Sequence, residues 1–368
     1  MFFERFREAV ARLPDGLLRP GPAADAEAIA AAVLALGREL PDDYASFLQS
    51  FDGADLFHES VVIAGVGASS PLQLCDLNTE RPLTELAFAE TAAGDRFVFG
   101  DAAGAKPGAV FRVRAGSEER VLAGSDFTRW LDATVARDQI LYGSDGEFAP
   151  EVFDDDGEEI QPLIALRQAE RALRADAGSA EAHCDRGVAL RRVGRLAEAA
   201  DAFERAAELD ARNPWPWFDL GRAALDEDPR RATAAFRRAA AADPGPSGAR
   251  MLAWAAHAAT AAGDEAAAAE ARASALARQP GLLEDLRRAV ATAVDDEDPE
   301  AAQQAALLVE AIEPAAPVRR RLPLAPEPRA KAVSSPKPPA RRQPPAPPRR
   351  PRRATPPPAG ASPRGRRR

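Results

Sequence analysis

His58, His183 and His257, with Cys75 and Cys184, are the residues of this 368-residue chain best suited to metal or nucleophilic chemistry. Their spacing fits neither. No His-Glu-x-x-His pattern occurs and no second cysteine lies near either thiol, so no zinc site or disulfide framework can be read. GDAAGAKPG at 100–108 has the glycines and lysine of a phosphate loop, but Ala105 and Pro107 flank Lys106 where Gly and Ser or Thr are needed. It reads as a hairpin turn. FDDDGEEI at 153–160 would put Val152 and Leu163 at the first and last ligand positions of a calcium loop, where carboxylates belong, so it reads as a solvated acidic linker. The expectation is a chain that is not an enzyme, with no catalytic residues, no metal and no cofactor.

The elements around these residues divide by composition. Residues 314–368 hold 16 Lys or Arg against the single Glu327, leaving 32 basic and 56 acidic side chains on residues 1–313. The acidic body should repel bare nucleic acid. Charges at Glu4, Arg5, Arg7 and Glu8 interrupt the apolar start, unlike a signal peptide, and no apolar run is long enough to span a membrane. Together with two unpaired cysteines, this predicts a cytoplasmic protein, and an Arg- and Ala-rich composition suggests the coding bias of a GC-rich genome.

Between 163 and 280 a block of about 34 residues recurs. Ala165, Ala199 and Ala232 are spaced by 34 and 33, as are Ala172, Ala206 and Ala239, while Gly187 to Gly221 is 34 and Phe203 to Phe236 is 33. Such a period predicts stacked helix hairpins with an extended concave surface. Small residues let paired helices approach, Trp217 and Phe236 fill the space between hairpins, and Pro244 stops a helix. A third copy ending at Pro280 puts Arg272 where the others have Phe; PLIALRQAERALRAD precedes the first copy as a lone helix, and a final pair follows with Pro299 at a helix start. The spacing resembles the tetratricopeptide repeat family, in which first helices line the groove. That register implies partner-binding positions at Cys184, Val188, Arg191, Phe218, Arg222, Leu225 and His257, with hairpin core as the alternative for Phe218 and Leu225.

Residues 1–150 follow another pattern. In ELPDDYASFLQSFDG, Pro41 suits a first helical position, Asp42 and Asp43 complement the helix dipole, Tyr44, Phe47, Leu48 and Phe51 share one apolar face, and Gly53 lies past the end. Short β-rich runs at 61–67, 96–101, 109–114 and 120–123 are followed by SDFTRWLDATVARD, a helix capped by Ser125 or Asp126. The stretch from Pro71 to Ala93 fits no clear pattern. The order predicts an α+β domain, a small sheet with flanking helices. Leu40, Pro41, Tyr44, Phe47, Leu48, Gly53, the FVFGDAAG turn and the Phe127, Trp130, Leu131 helix resemble the SUKH superfamily of Smi/Knr-type domains, across about 23–137. That resemblance implies non-catalytic binding, as in immunity proteins that neutralise toxins or in regulatory scaffolds. An acidic domain suits a basic toxin surface, with Asp42, Asp43, Asp52 and Asp55 as candidate contacts.

The tail has 17 prolines in 55 residues and paired or tripled arginines. Such sequence favours extended, disordered chain. It offers an arm for acidic partners, including nucleic acid, but without aromatic residues for base stacking. The expected organisation is an α+β domain at 1–150, an acidic linker at 151–161, an all-α helix-hairpin solenoid at 162–313 and a disordered basic tail at 314–368. The expected function is protein or peptide recognition, immunity-like toxin binding first, a scaffold without a toxin second, and nucleic-acid binding through the tail third.

Overall fold

A computed structural model describes residues 3–79, 85–100, 108–117, 119–149 and 162–313 of the chain. The expected turn around Lys106, the acidic linker and the basic tail lie outside these residues.

The N-terminal part is α+β. Helix α1 (Glu4–Arg12), strand β1 (Leu18–Pro20), α2 (Ala26–Leu36) and α3 (Asp42–Leu48) precede strands β2 (Ala54–Leu56) and β3 (Val61–Ile63). A short helix α4 (Leu74–Leu77), strands β4 (Glu85–Thr91), β5 (Arg96–Gly100), β6 (Val110–Val113) and β7 (Arg120–Gly124), and helix α5 (Phe127–Asp138) complete it. The seven strands form one antiparallel meander in chain order. Two elements, α4 and β4, occupy the stretch where the sequence shows no pattern. Strand β4 hides because Leu86, Ala87, Phe88 and Ala89 are all buried, so the alternation of a half-exposed strand is missing.

Helix α3 starts at Asp42 rather than Pro41. Pro41 stays extended (φ −53°, ψ 139°) as the cap residue, while its carbonyl accepts the first-turn hydrogen bond from the Ala45 N–H at 2.8 Å. The predicted apolar face is the domain's centre: Tyr44, Phe47 and Leu48 are fully buried, and Phe51, just past the helix end, joins them. Tyr44 donates its hydroxyl to the Ala64 carbonyl at 2.7 Å, which satisfies its one polar atom. Helix α5 closes this core. Phe127 meets Tyr44 and Phe47 with ring centroids 5.1 Å apart, and Trp130 meets Phe88 at 4.9 Å and Phe97 at 4.8 Å. Asp126 is the cap, accepting from the Arg129 N–H at 2.8 Å. Ser125 is used elsewhere.

The helical part begins with α6 (Pro162–Ala175), followed by hairpins α7 (Ala180–Arg192) with α8 (Leu196–Leu209), α9 (Pro214–Ala224) with α10 (Pro229–Ala242), and α11 (Pro246–Ala261) with α12 (Glu265–Arg278). A last pair, α13 (Leu282–Asp295) and α14 (Pro299–Ile312), ends the described chain. Side-chain caps at Ser179, Asn213, Asp228, Asp264 and Asp298 mark the helix starts. Within hairpins, the glycine of the first helix receives the phenylalanine of the second. A methyl group on Gly187 would lie 2.6 Å from the Phe203 ring, and one on Gly221 2.6 Å from the Phe236 ring. The third copy has lost both partners. Ala256 stands seven residues before Gly263, as Gly187 does before Gly194, and Arg272 turns away to donate its Nε to the Ala311 carbonyl at 2.8 Å.

The solenoid is seated on the α+β domain, a relationship the sequence left open. Helix α5 packs on α6 and strand β7 on α7. Arg112 of β6 binds Asp95 at one end of its guanidinium and Glu181 of α7 at the other, the latter at 2.6 Å. The Ser125 N–H and hydroxyl donate to the two carboxylate oxygens of Asp176 at 2.7 and 2.8 Å. The Leu122 N–H donates to Asp210 at 3.3 Å.

Candidate functional site

The four acidic positions of the α+β domain separate into two kinds. Asp42 is exposed on the first turn of α3. Asp43 beside it accepts from the Tyr44 N–H at 2.9 Å and the Thr128 N–H at 3.2 Å. Burial pushes its carboxyl pKa up, opposed by these backbone hydrogen bonds. Both line an open cleft of about 790 Å³ with Asp126 and Glu39. The cleft is not uniformly acidic, because Arg38 and Arg129 also line it. Asp52 and Asp55 do not join it. Asp52 is 2% exposed and holds the Val66 and Gly67 N–H groups at 2.6 and 2.8 Å. Asp55, also buried, accepts from the Glu59 N–H at 2.7 Å and pairs with Arg19 at 3.5 Å. Their carboxylates fix loops rather than face outward.

On the solenoid, α7, α9 and α11 carry the predicted groove residues, and the structure brings them together unequally. Cys184 and Val188 are half-buried on α7, and Arg191 reaches Asp219 of α9 at 3.8 Å. Burial pushes the Cys184 thiol pKa well up, reinforced by Asp185 and Asp219, which keeps it a neutral, poorly nucleophilic thiol. Phe218 and Leu225 pack against the hairpin core, the alternative their sequence positions allowed. Arg222 lies over the Trp254 ring at 4.9 Å, and His257 meets the same ring edge-on at 5.9 Å. Burial lowers the His257 pKa, with Glu310 and Asp226 opposing.

The last hairpin alters the expected open groove. Helix α12 barely touches α13, whereas α14 packs along α11, and Arg222 donates to the Gln304 side chain of α14 at 3.3 Å. Helix α14 therefore covers the α11 part of the first-helix face and reaches the α9 part at Arg222, while among the described residues α14 is not seen to pack on α7. Beneath α14 lies an aromatic cavity with Trp215, Met251 and Trp254, residues that sequence register alone did not single out. The exposed Trp215, two positions before the buried Trp217, is a signal that was present: a tryptophan on the opposite side of the helix from the core.

Among the described residues no group of three or more His, Cys, Asp or Glu side chains could hold a metal ion, and no helix is long and apolar enough to cross a membrane.

No curated protein matches the chain. Among solved structures, the helical part is similar to MamA, at 18% identity over 41% of this chain and 86% of that one with a TM-score of 0.31. It is also similar to YrrB, described as a TPR protein with an unusual peptide-binding site, at 22% identity over 42% of this chain and 78% of that one with a TM-score of 0.29. The region from α2 into α5, in which α3 and the aromatic closing helix meet over the meander, corresponds to a sequence family: residues 23–133 match the SMI1 / KNR4 family (SUKH-1).

Proposed function

We propose that this chain is a non-catalytic protein-recognition protein whose SUKH-type domain binds a basic protein, in the manner of an immunity protein holding a toxin, while its solenoid offers a second surface to a peptide or protein. The observation that carries the first part is the position of Asp42 and Asp43. They line a cleft of about 790 Å³ with Glu39 and Asp126, four carboxylates against the guanidiniums of Arg38 and Arg129, so acidic side chains are in excess where a cationic side chain could enter. The solenoid surface is supported by Val188 and Arg191 on the uncovered part of α7, beside Cys184. Asp52 and Asp55 have no contact role in this reading.

The test is affinity capture with the full-length chain and with its Asp42→Arg variant, followed by co-expression of any captured protein in a host cell. The reading expects a basic protein that the variant loses and whose toxicity the wild-type chain suppresses. A captured partner that is harmless to cells replaces the immunity reading with a regulatory scaffold; retention by Asp42→Arg removes the cleft from it. Nucleic-acid binding through residues 314–368 rests on their 16 basic side chains, and a DNA shift that does not weaken steeply with salt would exclude it.

A further inference from the structure

We propose that the partly open cavity lined by Trp215, Phe218, Met251 and Trp254 on one side and by Ala301, Gln304, Ala305 and Leu308 of α14 on the other is an anchor pocket for a bulky apolar side chain of a helical partner, with α14 as its displaceable resident. The inference deepens the reading of the solenoid as a peptide-binding surface and rests on it.

Three observations converge. The cavity of about 370 Å³ has an aromatic and thioether wall, and Trp215 remains 41% exposed although the hairpin lies over it. Helix α14 lines the cavity with Ala301, Gln304, Ala305 and Leu308, and at two of these four positions it presents only a methyl group, which leaves space beside the aromatic wall. The seat itself has the shape of a helix, because α14 already lies along α11 with Leu308, Ala311 and Ile312 buried. A partner of the same secondary structure is thus accommodated without remodelling α9 or α11.

The α13–α14 hairpin is also the weakest-anchored part of the solenoid. It departs from the stacking of the earlier hairpins, in which α8 packs along α9 and α10 along α11. As a hairpin it buries six residues, against thirteen in the α11–α12 pair. Elements with few buried contacts open first in native-state fluctuations. Arg222 holds a neutral partner in Gln304, and Arg250, exposed at the cavity rim, has no ion pair among the described residues. An incoming helix that carries leucine or phenylalanine at the positions of Ala301 and Ala305, and a carboxylate at that of Gln304, would fill the void and pair these guanidiniums. The fitting ligand class is an acidic amphipathic helix.

The probe is a fluorescein-labelled peptide of residues 298–313, in native sequence and with Ala301→Leu and Ala305→Leu, titrated into the full-length chain. The substituted peptide is expected to bind about tenfold tighter or more, the gain from burying added methylenes, and to quicken hydrogen exchange in α14 while α7 to α12 keep their protection. Ala305→Leu in the chain itself should fill the pocket, slow α14 exchange and weaken peptide binding. Leu308→Asp, checked for native exchange in α7 to α12, should loosen α14 and strengthen it. Failure of both peptides to bind wild type and Leu308→Asp, or exchange of α14 only together with α11, overturns the proposal. Peptide binding at the cavity with no cellular partner captured would uphold the pocket and remove the natural peptide-recognition reading. A partner captured through Val188 and Arg191 while both peptides ignore the cavity would do the reverse.

Discussion

Asp176, at the end of α6, accepts two hydrogen bonds from Ser125, at the end of β7, and a third from the Gly178 N–H at 2.9 Å. The same repeat position recurs as Asp210 and Asp243, spaced by 34 and 33 residues. Asp210 holds the Leu122 N–H at 3.3 Å, whereas Asp243 holds only its own turn at Gly245. A turn-forming aspartate of the solenoid has therefore been used twice to hold one strand of the neighbouring domain. Asp176 is 1% exposed, so Asp176→Ala leaves buried donors unpaired and should cost about 1–3 kcal/mol. Asp243→Ala should cost clearly less. Thermal denaturation of the two variants checks this; equal costs would mean that the contact with Ser125 contributes nothing.

Gly187→Ala and Gly221→Ala should each destabilise the solenoid, because the added methyl would lie 2.6 Å from a buried phenylalanine ring in either hairpin. Overpacking of this kind costs about 1–3 kcal/mol. Urea unfolding followed by circular dichroism measures it, and in each case Phe203→Leu or Phe236→Leu in the same chain should recover part of the loss.

Acid should loosen the seam between the domains. Burial alone would raise the Asp95 pKa, but the Ala115 N–H and the Arg112 guanidinium outweigh it and leave the carboxyl below its ordinary 3.8. A carboxyl depressed in the folded state contributes stability that is present above its unfolded pKa and is lost as pH falls through the folded one. Stability should therefore decline as pH drops below about 4, and Asp95→Asn should flatten that decline. Arg112→Ala, which strands Asp95 and Glu181 at a half-buried site, should cost about 1–3 kcal/mol at neutral pH. A pH profile unchanged by Asp95→Asn would show that other groups govern the acid limb.

The two cysteines should react with Ellman's reagent in sequence. Cys75 is exposed and Cys184 is half-buried, with a thiol pKa that burial holds well above the ordinary value. Burial and then Asp76 raise the Cys75 pKa as well, so even its reaction should be slow at pH 7 and quicken as pH rises. Cys184 should follow only on unfolding, and the Cys75→Ser variant isolates its rate.

Asp52 and Asp42 should give opposite phenotypes. Asp52→Ala removes the acceptor of two N–H groups at a site 2% exposed and should cost about 1–3 kcal/mol. Asp42→Ala, at an exposed position, should stay within about 0.5 kcal/mol of wild type. A stable Asp52→Ala chain would contradict the structural assignment, which melting temperatures read directly.

The repeat period and the aromatic face of α3 were legible because each is written in local spacing. A glycine thirty-four residues from a glycine, or a Tyr44, Phe47, Leu48 face, depends on helical geometry that every copy shares. Strand β4 was not legible, since burial on both sides leaves no alternation. The sequence also grouped Asp52 and Asp55 with Asp42, because an acidic side chain is the same letter whether it faces solvent or binds a backbone loop.

The sequence by itself thus determined the two fold types and the phase of the hairpins, through periodicities that need only neighbouring residues to agree. Tertiary structure alone decided how the parts are joined and which surfaces stay open. Ser125 could have capped α5, and Asp126 does so instead, which frees Ser125 for Asp176 fifty-one residues away. The α13–α14 pair could have continued the stack and instead α14 turned onto α11, while Arg272 of α12, in place of a phenylalanine, reaches the Ala311 carbonyl of α14. Such choices depend on contacts between distant segments, whose energies compare whole packing arrangements rather than local preferences.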